Sequence, residues 1–400
     1  MKLLIVNPAF SRLNSPGAAE LDLFAIARRL AALSHTVRIL QPVIGAQKPD
    51  DVIRFFNMAD APDIVIDPVP FSVSMRDPRR LFDPAYWDGA GWMYASPAFT
   101  RIVQAAIRAY QPDGVIALMS FGWGAARAAR KLGLPASVRS QNNEASHMLQ
   151  ENGVTVPNLI RYIGKMRGEK NVARFSTVVA AITPVEAAFY SAIAPGTAVV
   201  TLPLGTLPEL LAPPRPPRDA RPLHVFFMGS SYNVPHNRKA LMFVVDDVLP
   251  MLRARLPGEF IVHILGSKTP AAAQAKAAPD LIFEGYVSDL DAFLAGMDAA
   301  IVPSLGGAGM QQKVFEPLCR AFPVITHRRV LAGYPYRDGE DLLTGETAAD
   351  FVEHLGALRD PVLREKLSRN AAARSAALFG ADRLDEALQL ITTHLGTTLV

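Results

Sequence analysis

The sequence predicts an α/β protein made of two doubly wound, Rossmann-like domains that face a central cleft. Three observations lead there. Short β-rich apolar runs alternate with amphipathic helical stretches along the chain, as in a parallel sheet covered on both faces. The alternation stops at a proline-rich break between Pro203 and Pro222 and then restarts. The length of 400 residues exceeds one ordinary α/β core and suits two or three domains.

The elements follow in order. Residues 3–6 read as a first buried strand, and a small-residue loop at 14–19 leads into a helix. That helix carries Leu23, Ile26, Ala27 and Leu30 on one face. Further strands are expected at 36–40, 63–67, 114–118, 136–139 and 178–181. The run Pro-Pro-Arg-Pro-Pro at 213–217 fits neither a helix nor a central strand and reads as a stiff linker. The expected division is therefore an N-terminal domain at 1–205, a linker at 206–222 and a C-terminal domain at 223–378. Within the last, strands are expected at 223–228, 260–265, 281–283, 299–302 and 324–326, with helices at 235–252, 290–295 and 311–320. The first of these helices places Leu241, Val244, Val245, Val248 and Leu252 on one stripe. Three helical stretches close the chain at 347–358, 361–377 and 382–395, the last expected to pack back on the N-terminal domain. Ligands in such sheets bind beyond the C-terminal strand ends.

Composition narrows the class. Half of the residues are hydrophobic and a fifth charged, as in a soluble globular protein. No apolar run approaches the roughly 20 residues that span a bilayer. The first eight residues hold one lysine and a short apolar run, which is not a secretory signal. The single cysteine, Cys319, excludes an intramolecular disulfide and a cysteine-based zinc site. A cytoplasmic protein is expected, peripheral at most on the inner face of the membrane. The net charge of +4 is uneven. The first 200 residues carry 21 Lys and Arg against 15 Asp and Glu, and the last 200 carry 20 against 22. That imbalance suits anionic lipid or an anionic acceptor, or is ordinary variation. No zinc finger, RNA-binding signature or long basic tract points to nucleic acid.

The segment from Pro303 to Leu318 carries the chemistry. A strand ends at Val302, a loop with Gly306, Gly307 and Gly309 follows, and a helix then begins. Glycines let a backbone approach a ligand, and free amides at a helix N-terminus attract phosphate oxygens. Lys313 lies one turn into the helix, with Glu316 three residues later on nearly the same face. Amides and Lys313 suit a diphosphate, and Glu316 suits sugar hydroxyls. The same pattern also fits a tight strand-to-helix turn with an exposed ion pair.

The segment resembles the donor-site signature of retaining GT-B glycosyltransferases, family four (glycosyl transferases group 1). The shared pattern is small residues, Lys, Glu, then a small-residue helix ending in Pro-Val, here Glu316 to Pro323-Val324. Phe227-Met228-Gly229-Ser230-Ser231 is similar to the family's first C-terminal strand and loop, and Pro235-His236-Asn237 to the start of its next helix. Gly285-Tyr286-Val287 with Leu290 resembles the stretch whose backbone holds the nucleobase. In the N-terminal half, residues 139–144, Arg-Ser-Gln-Asn-Asn-Glu, are similar to an Arg-x-His-Asn-x-Glu stretch. Glu169 and Thr183-Pro184-Val185-Glu186 continue the register.

The resemblance implies a nucleotide-sugar donor as co-substrate, no other cofactor, and a division of roles. Glu316 would bond the donor ribose, and the amides near Gly309 and Met310 would meet the diphosphate or sugar. Gly229 and Ser230 would line the donor cleft, Val287 would sit at the base, and Arg238 or Lys239 would neutralise phosphate. Two positions depart from the pattern. Ala308 stands where the family often has a second Glu, and Gln141 replaces the N-domain His, so that side chain cannot titrate as a base.

The implied reaction is hexosyl transfer with retention from a UDP- or GDP-sugar. The acceptor is expected to be a glycan or lipid-linked molecule of bacterial surface polysaccharide synthesis. Metal independence is expected; the one Asp-x-Asp pattern, Asp289-Leu290-Asp291, stands at the start of the helix expected at 290–295. If the enzyme inverts, Glu144 is the candidate base; otherwise it is a helix N-terminal Glu favoured by the dipole. Gln141 and Asn142 are acceptor-side candidates. Trp123, between Gly122 and Gly124, is either a stacking platform for sugar or a core residue. Residues 72–97 mix Arg76, Arg79 and Arg80 with Phe82, Tyr86, Trp87 and Trp92, and 158–174 adds Arg161, Lys165, Arg167, Lys170 and Arg174. Both suit an anionic membrane surface, or are an ordinary loop and a solvated helix. A GT-B nucleotide-sugar epimerase and a non-catalytic two-lobed sugar binder are the competing classes.

Overall fold

The computed structural model describes residues 1–7, 18–43, 48, 50–51, 64–219 and 221–397. The small-residue loop at 14–17 and Asp63, the first residue of an expected strand, lie outside them. The chain forms two compact units, Met1–Thr206 with Ala381–Val400, and Leu207–Gly380.

Among the described residues the first unit holds seven parallel strands: β1 (Lys2–Val6), β2 (Thr36–Val43), β3 (Val65–Pro70), β4 (Gly114–Leu118), β5 (Ala136–Ser140), β6 (Val178–Ala181) and β7 (Ala198–Thr201). Their order is β3-β2-β1-β4-β5-β6-β7. Ile5 stands beside Ile39 on one side and Ile116 on the other. Leu3 and Ile5 enter one apolar cluster while Leu4 and Val6 enter the other. That alternation buries both sheet faces and explains why these strands read as continuous apolar runs. The helix Ala381–Gly396 joins the first cluster through Leu384, Leu388, Ile391 and Leu395. Each such side chain contributes about 1.5–3 kcal/mol on burial. Arg29 clamps the helix from outside, with both its Nε and a terminal nitrogen on the Asp385 carboxylate. Gly114 permits the close fit: a Cβ there would sit 3.1 Å from that of Leu395.

The second unit holds six parallel strands: β8 (Leu223–Ser231), β9 (Phe260–Ser267), β10 (Leu281–Gly285), β11 (Ala299–Val302), β12 (Val324–Thr326) and β13 (Leu343–Thr344), in the order β10-β9-β8-β11-β12-β13. The expected linker is not a free spacer. It runs along this unit, with the Ala212 amide on the Cys319 carbonyl at 2.9 Å and the Arg215 amide on Ser368 Oγ at 2.7 Å. Prolines there leave few backbone donors, so side chains do the anchoring: Arg218 grips Asp298 with two bonds of 2.9 and 2.6 Å.

The expected helix at 235–252 is α-helical over Pro235–Met242, a π-turn over Phe243–Val248, and α-helical again over Leu249–Arg255. Pro250 has no amide to donate, and its ring would crowd a preceding carbonyl in an α-turn; the wider π-turn relieves both. Strands β7 and β13 have no counterpart in the sequence reading. They are four and two residues long and lie at sheet edges, where burial is partial and the apolar signal short. Among the described residues no helix is long and apolar enough to cross a membrane.

Candidate functional site

In the second sheet the strand order reverses between β8 and β11. The crevice beyond their C-terminal ends is where doubly wound sheets bind ligands. Two glycine-bearing loops flank it. At Gly229 an added Cβ would lie 2.7 Å from the ring of buried Tyr232, and a Cβ on Gly266 would lie 2.0 Å from the Gly229 carbonyl oxygen. The end of β8 therefore packs too tightly for side chains there, and Ser230 beside it is exposed.

The second loop, after β11, is pinned from within. Ser304 and Gln311 share a short hydrogen bond, and the Gln311 amide donates to the Gly306 carbonyl at 3.0 Å. Arg329 donates to the Leu305 and Gly307 carbonyls, each at 3.1 Å. Gly307 and Gly309 take φ of +88° and +71°, which their lack of a Cβ allows. Met310 is buried at the loop's end. The helix Gln312–Cys319 follows, and no side chain caps its first turn, because Gln311 is turned back onto the loop. Its first amides thus keep the partial positive charge that favours an anion.

Lys313 and Glu316 do not form the exposed ion pair that the sequence left open. Lys313 Nζ donates to Asn237 Oδ1 at 2.9 Å. Asn237 is buried and in turn donates to the Ser231 carbonyl at 3.2 Å, with Ser230 Oγ at 3.5 Å. Glu316 is buried, one carboxylate oxygen taking Gln312 Nε2 and the other Arg320 Nε, each at 3.0 Å. Arg238 and Lys239 are exposed on the neighbouring helix, lining a groove of about 570 Å³ with Phe243 and Leu305. Val287 is half-buried in the loop after β10, next to exposed Tyr286. Gly229, Ser230, Val287, Gly309, Met310, Lys313 and Glu316 thus all lie at the C-terminal edge of one sheet.

In the first unit, Gln141 and Asn142 form the half-buried turn after β5. Asn143 caps the helix Glu144–Asn152 by accepting the Ser146 amide. Glu144 Oε2 takes Lys165 Nζ at 3.1 Å, and Lys165 also faces Asp88 at 3.5 Å. The Glu144 amide donates to Glu169 Oε1 at 2.9 Å, and Tyr190 donates to Glu169 Oε2 at 2.5 Å. Burial pushes the Glu169 carboxyl up to about 8, against a smaller downward pull from Tyr190. Burial likewise raises Glu186 to about 7.

Trp123 is not a sugar platform. It is 1% exposed and packs against Tyr86, Phe175 and the Arg127 guanidinium. The alanine-rich helix it heads lies against the sheet and carries the ring into the core. Trp92 is core as well, its Nε1 donating to the Ser74 carbonyl at 2.9 Å. In the same stretch Arg80 donates to the backbone of Met75, Tyr86 and Trp87, which fixes this loop.

Sequence reasoning missed Asn237, Gln311, Arg320 and Arg329. Asn237 and Gln311 had a signal, each standing at the start of a helix that follows a glycine- or serine-bearing loop. Arg320 had a fainter one, four residues after Glu316, the spacing of a helical ion pair. Arg329 had none, since its partners are distant carbonyls.

Comparisons with known proteins bear on the family and the fold. The model described as glycosyl transferase 4-like domain matches residues 17–205, and that described as glycosyl transferases group 1 matches residues 222–360. No curated protein matches the sequence. Among solved structures, sucrose-phosphate synthase from Thermosynechococcus elongatus superposes with a TM-score of 0.73 at 14% identity, over 99% of both chains. Anabaena HepE in complex with UDP gives 0.68 at 14% identity, over 98% of this chain and all of that one. A mutant of S. aureus TarM in complex with Fondaparinux, alpha-GlcNAc-glycerol and UDP gives 0.68 at 9% identity, over 98% and 99%. These likenesses establish the GT-B fold of two Rossmann-like domains.

Proposed function

The chain belongs to the group 1 glycosyl transferases, and from that premise we propose that it moves a sugar from a UDP- or GDP-sugar to a glycan or lipid-linked acceptor. The setting proposed is bacterial surface polysaccharide synthesis, with retention at the anomeric carbon and without a metal ion. The observation that carries the donor assignment is the joining of Ser230, Asn237 and Lys313 across the sheet's switch point, beside an uncapped helix start.

Transfer requires the diphosphate leaving group to be stabilised as the glycosidic bond breaks. Lys313, the first amides of the helix Gln312–Cys319, and Arg238 or Lys239 supply positive charge for that task. Glu316 keeps unused lone pairs on both carboxylate oxygens and is suited to accept from ribose hydroxyls. Val287 is suited to pack on the base, and the amides near Gly309 and Met310 to meet the diphosphate or sugar. UDP in two of the solved relatives favours uridine over guanosine.

On the acceptor side, Gln141 and Asn142 are suited to hydrogen-bond the incoming hydroxyl, and Glu144 is the base if the reaction inverts. A lipid-linked acceptor has support in one surface of the first unit. Leu81, Phe82, Val156, Ile160 and Ile163 are exposed there beside exposed Arg161 and Arg167. Apolar side chains among basic ones favour the face of an anionic bilayer.

Calorimetry with UDP and GDP on the wild type and Glu316→Ala tests the donor site. UDP is expected to bind the wild type and to lose at least about tenfold in affinity in the variant, a loss of 1.4 kcal/mol or more. Unaltered UDP binding by Glu316→Ala removes Glu316 from the donor site.

A further inference from the structure

The second unit carries another cavity, of about 430 Å³, at the opposite end of its sheet. Its walls include Asp298, just before β11, and Pro323, just before β12, whereas the donor loops follow the C-terminal strand ends. The volume lies in the range that holds a small organic ligand.

Four guanidiniums, those of Arg215, Arg218, Arg320 and Arg364, line it against two carboxylates, Asp291 and Asp298. Asp298 is matched by Arg218, and Asp291 by Arg320 at 2.5 Å. Among the described residues, the guanidiniums of Arg215 and Arg364 bond only to carbonyl oxygens. Arg215 donates to Leu294, and Arg364 to Leu358, Arg359 and Arg218. Arg364 is 5% exposed, and its Nε has no hydrogen-bond partner. Burial pulls both guanidiniums below their ordinary range, and the Arg320 charge adds to the effect on Arg215. Asp298 partly offsets this for both, but its carboxylate is already bonded to Arg218, so neither Arg215 nor Arg364 has a bonded carboxylate of its own, and a phosphate group is matched in shape to guanidiniums. The remaining wall is apolar: Pro213, Pro214, Pro216 and Ala295 are exposed on it, while Leu294, Met297 and Phe322 are buried, Arg215 lying 4.0 Å above the Phe322 ring.

We propose that this cavity binds a small phosphorylated metabolite. Its phosphate group sits on Arg215 and Arg364, and its carbon skeleton packs against the exposed Pro213, Pro214, Pro216 and Ala295. The cavity also reaches the donor helix, because Arg320 holds Asp291 with one nitrogen and Glu316 with another. A ligand anion that draws on Arg320 weakens its hold on Glu316 and changes nucleotide affinity. That coupling rests on Glu316 being a donor residue; the binding itself does not.

The test is a phosphorus NMR titration of glucose 6-phosphate and of inorganic phosphate, with the protein alone and with saturating UDP. Glucose 6-phosphate is expected to bind in both conditions, more tightly than inorganic phosphate, and about tenfold more weakly in Arg215→Gln and Arg364→Gln. Arg215 is the less buried of the two, so its variant carries the result if Arg364→Gln fails to fold. No binding by the wild type, or equal binding by folded variants, overturns the proposal. Equal affinity for the two phosphates overturns the metabolite class. Displacement by UDP overturns the separate location. Calorimetry with UDP, with and without glucose 6-phosphate, is expected to show an affinity change in the wild type that is absent in Arg215→Gln. An unchanged UDP affinity overturns the coupling, and no UDP binding at all overturns the donor reading, which the phosphorus titration does not depend on.

Discussion

Lys313 Nζ donates to Asn237 Oδ1 across 2.9 Å, joining the helix after β11 to the helix after β8. The two helices start on either side of the point where the strand order reverses. An ammonium on a flexible stem is a poor phosphate ligand until something fixes it. Asn237, buried and held by the Ser231 carbonyl, does the fixing.

Lys313→Ala is therefore expected to weaken UDP binding by about ten- to a hundredfold, the worth of a hydrogen bond to a charged group. Asn237→Leu is expected to weaken it less and in the same direction. Calorimetry with UDP and with uridine separates the roles, because uridine lacks the diphosphate. An equal loss for both ligands would show that Lys313 acts on something other than phosphate.

The glycine-bearing loop after β11 and the helix that follows it were legible because they rest on local spacing. Gly307 and Gly309 bend the chain, and Lys313 and Glu316 sit on one helix a turn apart. What holds those side chains was not legible. Glu316 depends on Arg320, which also reaches Asp291, and the loop depends on Arg329, whose partners are carbonyls 22 and 24 residues away. Trp123 shows the converse limit. Flanking glycines fit either a ligand site or close packing, and only the tertiary fold decides; a Cβ on Gly124 would lie 2.0 Å from the Tyr94 carbonyl oxygen. In the linker, the prolines signalled the loss of backbone donors, but not that Arg215 and Arg218 would fasten the segment to the second unit.

Arg139 and Asp22 form a bidentate pair of 2.8 and 3.0 Å, each 1% exposed. Arg139 also holds the Leu202 and Pro203 carbonyls, and Asp22 accepts the Gly205 amide at 2.7 Å. The pair thus ties the first helix and β5 to the segment that leaves the first unit. Asp22→Ala is expected to cost about 3–5 kcal/mol, because it strands a buried guanidinium. Urea unfolding measures this, and Asp22→Ala with Arg139→Met is expected to recover part of the loss. A cost below about 1 kcal/mol would mean that water replaces the carboxylate.

The exposed apolar surface of the first unit predicts membrane binding. Phe82 is 85% exposed and Val156 72%. The helix Val156–Phe175 meets the loop carrying Phe82 where Gly164 lies against Trp87. Arg161, Arg167 and Lys170 are exposed on that helix. Each basic residue near an anionic surface adds about 1 kcal/mol, and each inserted large apolar side chain about 1.5–3 kcal/mol. Co-sedimentation with vesicles rich in anionic phospholipid is expected, weaker with neutral vesicles and weaker still for Phe82→Ser with Ile163→Ser. Failure of the wild type to pellet with anionic vesicles removes the lipid surface from the functional reading.

Glu169 gives the stability a defined pH dependence. Its carboxyl is pushed up to about 8, first by burial, from an ordinary value of 4.5. Between those two pH values the native state keeps the proton and the unfolded chain has lost it. Stability therefore falls as pH rises through that window, and levels off above it. Glu186, raised to about 7, steepens the lower part of the slope. Glu169→Gln keeps an acceptor for the Glu144 amide and removes the titration. Its melting temperature is expected to be close to wild type at about pH 5, and above wild type at about pH 8, where the native carboxyl is half-ionised. The variant also separates structure from catalysis. Glu169 accepts the backbone amide of Glu144, not its side chain, so the Lys165–Glu144 ion pair is expected to survive the change. Melting profiles that run parallel from pH 5 to pH 8 would show that Glu169 is ionised in the native state. Tyr190 and the Glu144 amide would then be sufficient to hold the charge.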